Sequence, residues 1–267
     1  MSIDLKYIQK CCLNIAMDVD RVCRGNGISY SLCGGSVIGM HLYQGFIPWD
    51  DDIDLMMTRE NYERFLEVYP AQKAERYHVR NYRTDGMENI PALFSRIEDM
   101  ETEMTEEIAG AVRRGHVFVD LTVFDGLTSK LTYNILRTKA GMTYTYLYRK
   151  NGMTPGKWWK RAALSLLPMP STAAGLQKKY EKLEQQLIRE SRKGDPLYMA
   201  ELLSAKFSGI LYDAKIFQSY AGCTFEGCSL MVVKDYMDYL HTRYGNREFV
   251  LDMPEEDRQK SHIQELS

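Results

Sequence analysis

Four aspartates, Asp50, Asp51, Asp52 and Asp54, open a segment that continues as Leu55-Met56-Met57. The run Asp52-Ile53-Asp54-Leu55-Met56-Met57 alternates and predicts a strand. Residues two apart on a strand share a face, so Asp52 and Asp54 should project together, with Ile53 and Asp51 turned away. Adjacent carboxylates repel and raise at least one pKa unless a cation sits between them. A divalent ion such as magnesium, which takes oxygen ligands, resolves that repulsion. Asp50 follows the turn Gly45-Phe46-Ile47-Pro48 and reads as a residue that caps it.

One helix-turn unit upstream stands Gly34-Gly35-Ser36, between an expected strand at 28–33 and a short helix at 37–43. Glycines let the backbone approach a phosphate closely, and a helix N-terminus offers N–H groups without intrahelical partners. Ser36 adds a hydroxyl donor. Followed by the acidic strand, this unit suggests a phosphate site facing a metal site. A third carboxylate comes from Val117-Phe118-Val119-Asp120-Leu121-Thr122-Val123, an apolar strand with one aspartate. Burying a carboxylate alone is costly, so Asp120 requires a partner, either a metal or a salt bridge. Asp125, in Phe124-Asp125-Gly126, reads as a turn residue.

The remaining periodicity sets a mixed α/β (α+β) order. An amphipathic helix is expected over 5–23, where Leu5, Ile8, Cys12, Ile15, Val19 and Val22 recur at helical spacing. A second helix is expected over 59–69 with Thr58 as N-cap, and strands over 77–82, 92–98 and 117–124. The acidic stretch 98–107 reads as a solvated face or loop. After 126 the pattern turns helical, over 131–148, 157–167 and 172–192, with a last helix over 234–244 closed by Gly245. The expected organisation is a catalytic core over 1–126, a helical subdomain over 127–222 suited to acceptor or membrane-surface contact, and a segment over 223–267 packing back on the core.

With 267 residues and a formal net charge of −2, the chain offers no global electrostatic argument for nucleic acid. No apolar run approaches the roughly 18 residues of a membrane span. The start, Met1-Ser2-Ile3-Asp4-Leu5-Lys6, lacks a signal-peptide layout, so a cytoplasmic protein is expected, with the inner face of the membrane as one place for it. The six cysteines form no Cys-x-x-Cys pair and read as free thiols.

Gly35-Ser36-Val37-Ile38-Gly39, with Gly45-Phe46-Ile47-Pro48-Trp49-Asp50-Asp51-Asp52-Ile53-Asp54, resembles the LicD family of phospho-alcohol transferases. The resemblance continues at Val119-Asp120-Leu121, Asp125-Gly126, Phe225-Glu226-Gly227, Tyr244-Gly245 and Met253-Pro254-Glu255, covering roughly 28–126 and 223–262. It implies a nucleotidyltransferase-like mixed sheet flanked by helices. It also implies metal and catalytic carboxylates at Asp52, Asp54 and Asp120, holding two Mg²⁺ ions or Mn²⁺ in their place. Gly34, Gly35, Ser36 and Arg96 are the candidate donor-binding residues. Where the family carries a basic residue before the Gly-Phe-Ile-Pro string, this chain has Leu42, with His41 and Arg96 as candidate substitutes.

The resemblance further implies a CDP-activated alcohol donor such as CDP-choline. Its acceptor would be a hydroxyl of a cell-surface glycan, a lipopolysaccharide, teichoic-acid or lipid-linked precursor, and CMP would leave. Two other readings stand beside it: a nucleotidyltransferase moving a nucleoside monophosphate, and a non-catalytic nucleotide-binding protein. The presence of all three carboxylates argues against the last. Lys157-Trp158-Trp159-Lys160-Arg161, followed by an apolar run at 162–167, suits a peripheral membrane contact as well as a core helix with a charged rim. Tyr144, Tyr146, Tyr148, Trp158 and Trp159 are aromatics that could cage a quaternary ammonium, although spacing two cannot put three tyrosines on one helix face.

Overall fold

The expected apolar stripe of the first helix is buried in full from Ile8 to Val22. The computed structural model describes residues 4–86, 93–108, 111–150, 172–203, 209–246, 248–251 and 263–266. Helix α1 (Leu5–Gly25) begins at Asp4, whose carboxylate accepts the Tyr7 N–H. Strand β1 (Ser31–Leu32) is shorter than the apolar run suggests, and α2 (Gly34–Tyr43) starts directly at the glycines. Strand β2 (Asp54–Thr58) leads into α3 (Arg59–Gln72). Thr58 occupies the N-cap position of α3, but its hydroxyl makes no capping bond; it accepts from Asn61 Nδ2 at 3.0 Å.

Strand β3 (Tyr77–Arg80) and the single turn α4 (Tyr82–Asp85) precede two long strands, β4 (Ser95–Ile108) and β5 (Ala111–Leu127). Helices α5 (Lys130–Lys150) and α6 (Ala173–Ser191) follow. The chain then forms β6 (Tyr198–Ala200), β7 (Tyr212–Asp213), β8 (Tyr220–Phe225), β9 (Cys228–Val233), α7 (Tyr236–Tyr244) and β10 (Ile263–Leu266). The segment 157–167 proposed for membrane contact lies outside the described residues.

The described strands form an eight-stranded mixed sheet with the central order β1-β2-β5-β4-β10, and a separate β8–β9 hairpin. Strand β3 extends β4, while β6 and β7 continue from β5. Only β2 and β5 pair in parallel among the described strands, and α3, β3 and β4 supply the crossover that such a pair requires. The architecture is thus the mixed α/β sheet flanked by helices that the sequence leads one to expect. Apolar side chains gather in two clusters, one joining α1, α2 and α3 to the sheet, the other between α5, α6 and the β5–β6 end.

Two readings are corrected here. The acidic stretch 98–107 is the body of β4 and not a loop; Glu101 and Glu103 lie exposed on it, as a solvated face would have them, but its first two acids do not. Glu98 and Asp99 are buried there because Arg80 and Arg76 meet them, at 2.7 Å and 2.8 Å. Asp125 is not an exposed turn residue. It is fully buried, bonded to Arg59 Nε at 2.7 Å, and Arg59 also reaches Glu184 of α6 at 3.3 Å.

Candidate active site

The N-terminus of α2 and the first residue of β2 are tied together by backbone bonds. The Cys33 amide donates to the Asp54 carbonyl at 2.8 Å, and the Asp54 amide donates to Ser36 Oγ at 2.9 Å. Ser36 is therefore buried and occupied in orienting Asp54. Gly34 has φ +56°, a left-handed conformation that favours glycine. A Cβ there would stand 3.1 Å from Asp54 Oδ2, and one at Gly35 would stand 3.2 Å from Asp50 Oδ2. The lack of a Cβ at both glycines thus lets the Asp54 and Asp50 carboxylates approach the turn closely.

The strand begins at Asp54 rather than Asp52, so alternation does not govern 50–53. The reason lies in α1: Gln9 Nε2 donates to the Asp50 carbonyl at 2.8 Å, and Cys12 Sγ lies 3.6 Å from the Asp51 carbonyl. These side chains occupy backbone groups that a strand partner would otherwise take. Asp51 and Ile53 are both buried. Yet Asp51 still offers a carboxylate oxygen within 4.8 Å of one each from Asp50 and Asp52.

Asp54 pairs with Asp120 in the parallel register of β2 and β5, and Asp120 pairs with Arg96 in the antiparallel register of β5 and β4. Arg96 Nε donates to Asp120 Oδ1 at 2.9 Å, and the guanidinium sits 3.7 Å from the centre of the Phe118 ring. The salt bridge that the sequence left open for Asp120 is therefore present, in a residue also expected beside a metal. His41 is exposed, near Tyr236, and Leu42 packs partly into the main apolar cluster.

Electrostatics mark the cluster as short of positive charge. Burial, then the neighbouring Asp52 and Asp120 carboxylates, raise the Asp54 carboxyl well above its ordinary value, with Asp50 adding to the effect. Arg243 opposes it. The donors are all hard carboxylate oxygens, with no thiolate or imidazole among them, which suits magnesium or manganese. The residues present therefore fit a divalent cation.

The C-terminal segment completes the site from the other side. Tyr239 Oη accepts the Gly34 amide at 2.9 Å. The β8–β9 hairpin turns through Glu226 and Gly227, with φ 48° and 74°, the positive pair of a two-residue type I′ turn. The Glu226 carboxylate accepts the Phe46 amide at 3.1 Å, and the Glu226 amide donates to the Gln44 carbonyl at 2.7 Å. The hairpin tip thus fixes the turn that launches the acidic loop. Sequence reading placed neither this hairpin nor the role of Arg243. A Gly between two apolar runs was the available signal for the first.

A parallel strand pair carrying register-paired aspartates, a glycine-started helix beside it and an acidic loop between them are thus set in a mixed α/β sheet flanked by helices. Residues 27–125 match the family model described as the nucleotidyltransferase domain of LicD, FKTN and FKRP. The chain is 27% identical over 269 aligned residues, 98% of its own length and 97% of the relative's, to a lipopolysaccharide cholinephosphotransferase, LicD, of Haemophilus influenzae. It is also 30% identical over 64 residues, 24% of this chain and 21% of the relative, to an uncharacterized protein of Rickettsia typhi, RT0683. Among the described residues, no helix is long and apolar enough to cross a membrane.

Proposed function

We propose that this protein transfers a phospho-alcohol of the phosphocholine type from a CDP-activated donor to a hydroxyl of a cell-surface glycan precursor, releasing CMP. The observation that carries the reading is the acidic loop Asp50-Asp51-Asp52, whose carboxylate oxygens lie within 4.8 Å of one another, leading into Asp54 beside its register partner Asp120 and the Gly34-Gly35 helix start. Full-length similarity to a protein named for choline-phosphate transfer onto lipopolysaccharide supports the donor and acceptor classes.

Asp52, Asp54 and Asp120 would hold Mg²⁺, with Asp50 near enough to share in it. When bound, the cation neutralises charge on the donor diphosphate. The protein's own groups do the rest. The Ser36 hydroxyl and the Cys33 amide hold Asp54 in place through its backbone. Arg96 orients the Asp120 carboxylate, which would take the proton of the acceptor hydroxyl. The oxygen of that hydroxyl attacks the alcohol-bearing phosphorus, the P–O bond to CMP breaks, and a phosphodiester on the acceptor remains. On this reading the protein acts at the cytoplasmic side, on a glycan or lipid-linked glycan.

The variants Asp52→Asn and Asp54→Asn test the reading. Each should abolish CMP release from CDP-choline while keeping the wild-type circular dichroism spectrum. Full activity in both would overturn it. Release of pyrophosphate from nucleoside triphosphates, with no CMP from CDP-alcohols, would instead select the nucleotidyltransferase reading.

A further inference from the structure

Arg243 projects from α7 toward the start of α2. Its Nη2 lies 3.9 Å from the point a Gly34 Cβ would occupy, and Asp54 Oδ2 and Tyr244 Oη lie 3.1 Å and 3.8 Å from that same point. Its Nη1 donates to Glu201 Oε2 at 2.9 Å and to Tyr212 Oη at 3.4 Å. Glu201 is buried, and the Arg243 side chain keeps 17% exposure. Tyr212 is held in turn by stacking on Tyr239, at 5.4 Å between ring centres, and Tyr239 is the residue that receives the Gly34 amide. The guanidinium is thus fixed on one side and presented to the glycine turn on the other.

Beyond its pair with Glu201, the guanidinium stands near the Asp54 carboxylate at the glycine turn. A diphosphate approaching that turn adds negative charge to a site already rich in it. Arg96 is engaged with Asp120 on the far side of Asp54, so it serves a different edge of the site. A planar fork of N–H donors beside a helix N-terminus matches phosphate geometry, in a way that a lysine ammonium does not.

We infer that Arg243 contacts the diphosphate of the nucleotide-linked donor at the Gly34-Gly35 turn, with Glu201 and Tyr212 as the residues that position it. The inference rests on the donor reading above and adds a binding residue from the C-terminal helix.

Calorimetric titration of the full chain with CDP, in buffer containing Mg²⁺, tests it. Arg243→Lys should weaken CDP binding about tenfold or more, the loss expected for a charge-assisted fork. It should raise the KM for CDP-choline more than it lowers kcat. To separate the loss of the fork from the loss of the Glu201 pair, the paired variant Arg243→Gln with Glu201→Gln, which removes the Glu201 carboxylate together with its partner, should show the same weakening. Wild-type affinity for CDP in folded forms of both variants would overturn the assignment while leaving the donor reading in place. A wild-type chain that binds no CDP would overturn both.

Discussion

Asp54 and Asp120 are register partners on the parallel strands β2 and β5, so their carboxylates emerge side by side from one face of the sheet. The neighbouring Arg96 engages Asp120, while burial, Asp52 and Asp120 together push the Asp54 carboxyl up. The site therefore stores like-charge repulsion that a cation can relieve.

Asp54→Asn should remove the transfer activity, by roughly a thousandfold or more if the carboxylate holds the cation. The same change should raise the melting temperature in metal-free buffer by about 2–4 °C, the shift that roughly 1 kcal/mol gives a chain of this size. Mg²⁺ should raise the melting temperature of the wild type more than that of the variant. Thermal scans with and without Mg²⁺ read both effects.

Arg96→Ala leaves Asp120 beside Asp54 without its guanidinium. Folding stability should fall by about 1–3 kcal/mol, less than for a fully dry pair because Asp120 keeps 18% exposure. Part of the loss should return with Mg²⁺. Urea denaturation at two Mg²⁺ concentrations measures it, and an unchanged midpoint would contradict the pairing.

Gly39 lies where α2 passes the turn before the acidic loop. A Cβ there would stand 2.4 Å from the Gly45 carbonyl oxygen and 3.1 Å from the Ile47 amide, both backbone atoms that cannot rotate aside. Gly39→Ala should cost about 1–3 kcal/mol in urea and lower activity as well, since the Gly45–Ile47 turn carries the aspartates. Loss of stability with wild-type kcat would separate that turn from the chemistry.

Arg59 is buried among Asp125, Glu184 and Glu63. Arg59→Met should destabilise by about 3–5 kcal/mol because it leaves Asp125 buried without its cation and Glu184 with Arg83 alone. Adding Asp125→Asn and Glu184→Gln should recover much of that, as equilibrium unfolding can show.

Glu63 provides the pH test. Burial pushes its carboxyl up, but the guanidiniums of Arg83 and Arg59 prevail and hold it below its ordinary 4.5. A carboxyl depressed in the folded state contributes stability that is fully present above its unfolded pKa and is lost as pH falls through the folded value. Wild type should therefore exceed Glu63→Gln at pH 7 by no more than about 1 kcal/mol, given its partial exposure, and the gap should close below pH 4.5. A gap that widens in acid would contradict the assignment.

The contrast between what was legible and what was not has a physical pattern. The α1 stripe, the Gly34 helix start and the Asp120 strand are local periodicities, and they appear close to where the sequence puts them. The β2 start is displaced to Asp54 because Gln9 and Cys12, some forty positions away, engage the carbonyls of Asp50 and Asp51. The charges of β4 looked solvated because Arg76 and Arg80, their neutralising partners, come from the neighbouring chain segment. Arg243 and Glu201 had no local signal at all, since their meaning arises only where α7 and β6 converge on the Gly34 turn.

The most direct measurement of the account is the product left by the full chain with a panel of CDP-alcohols and nucleoside triphosphates in Mg²⁺ buffer, with a glycan acceptor. Phosphorus NMR distinguishes CMP from pyrophosphate. The account predicts CMP together with a new phosphodiester on the acceptor, dependent on Mg²⁺ and absent in Asp52→Asn. Pyrophosphate from a triphosphate, or no turnover of any donor by a folded chain that binds Mg²⁺, would contradict it.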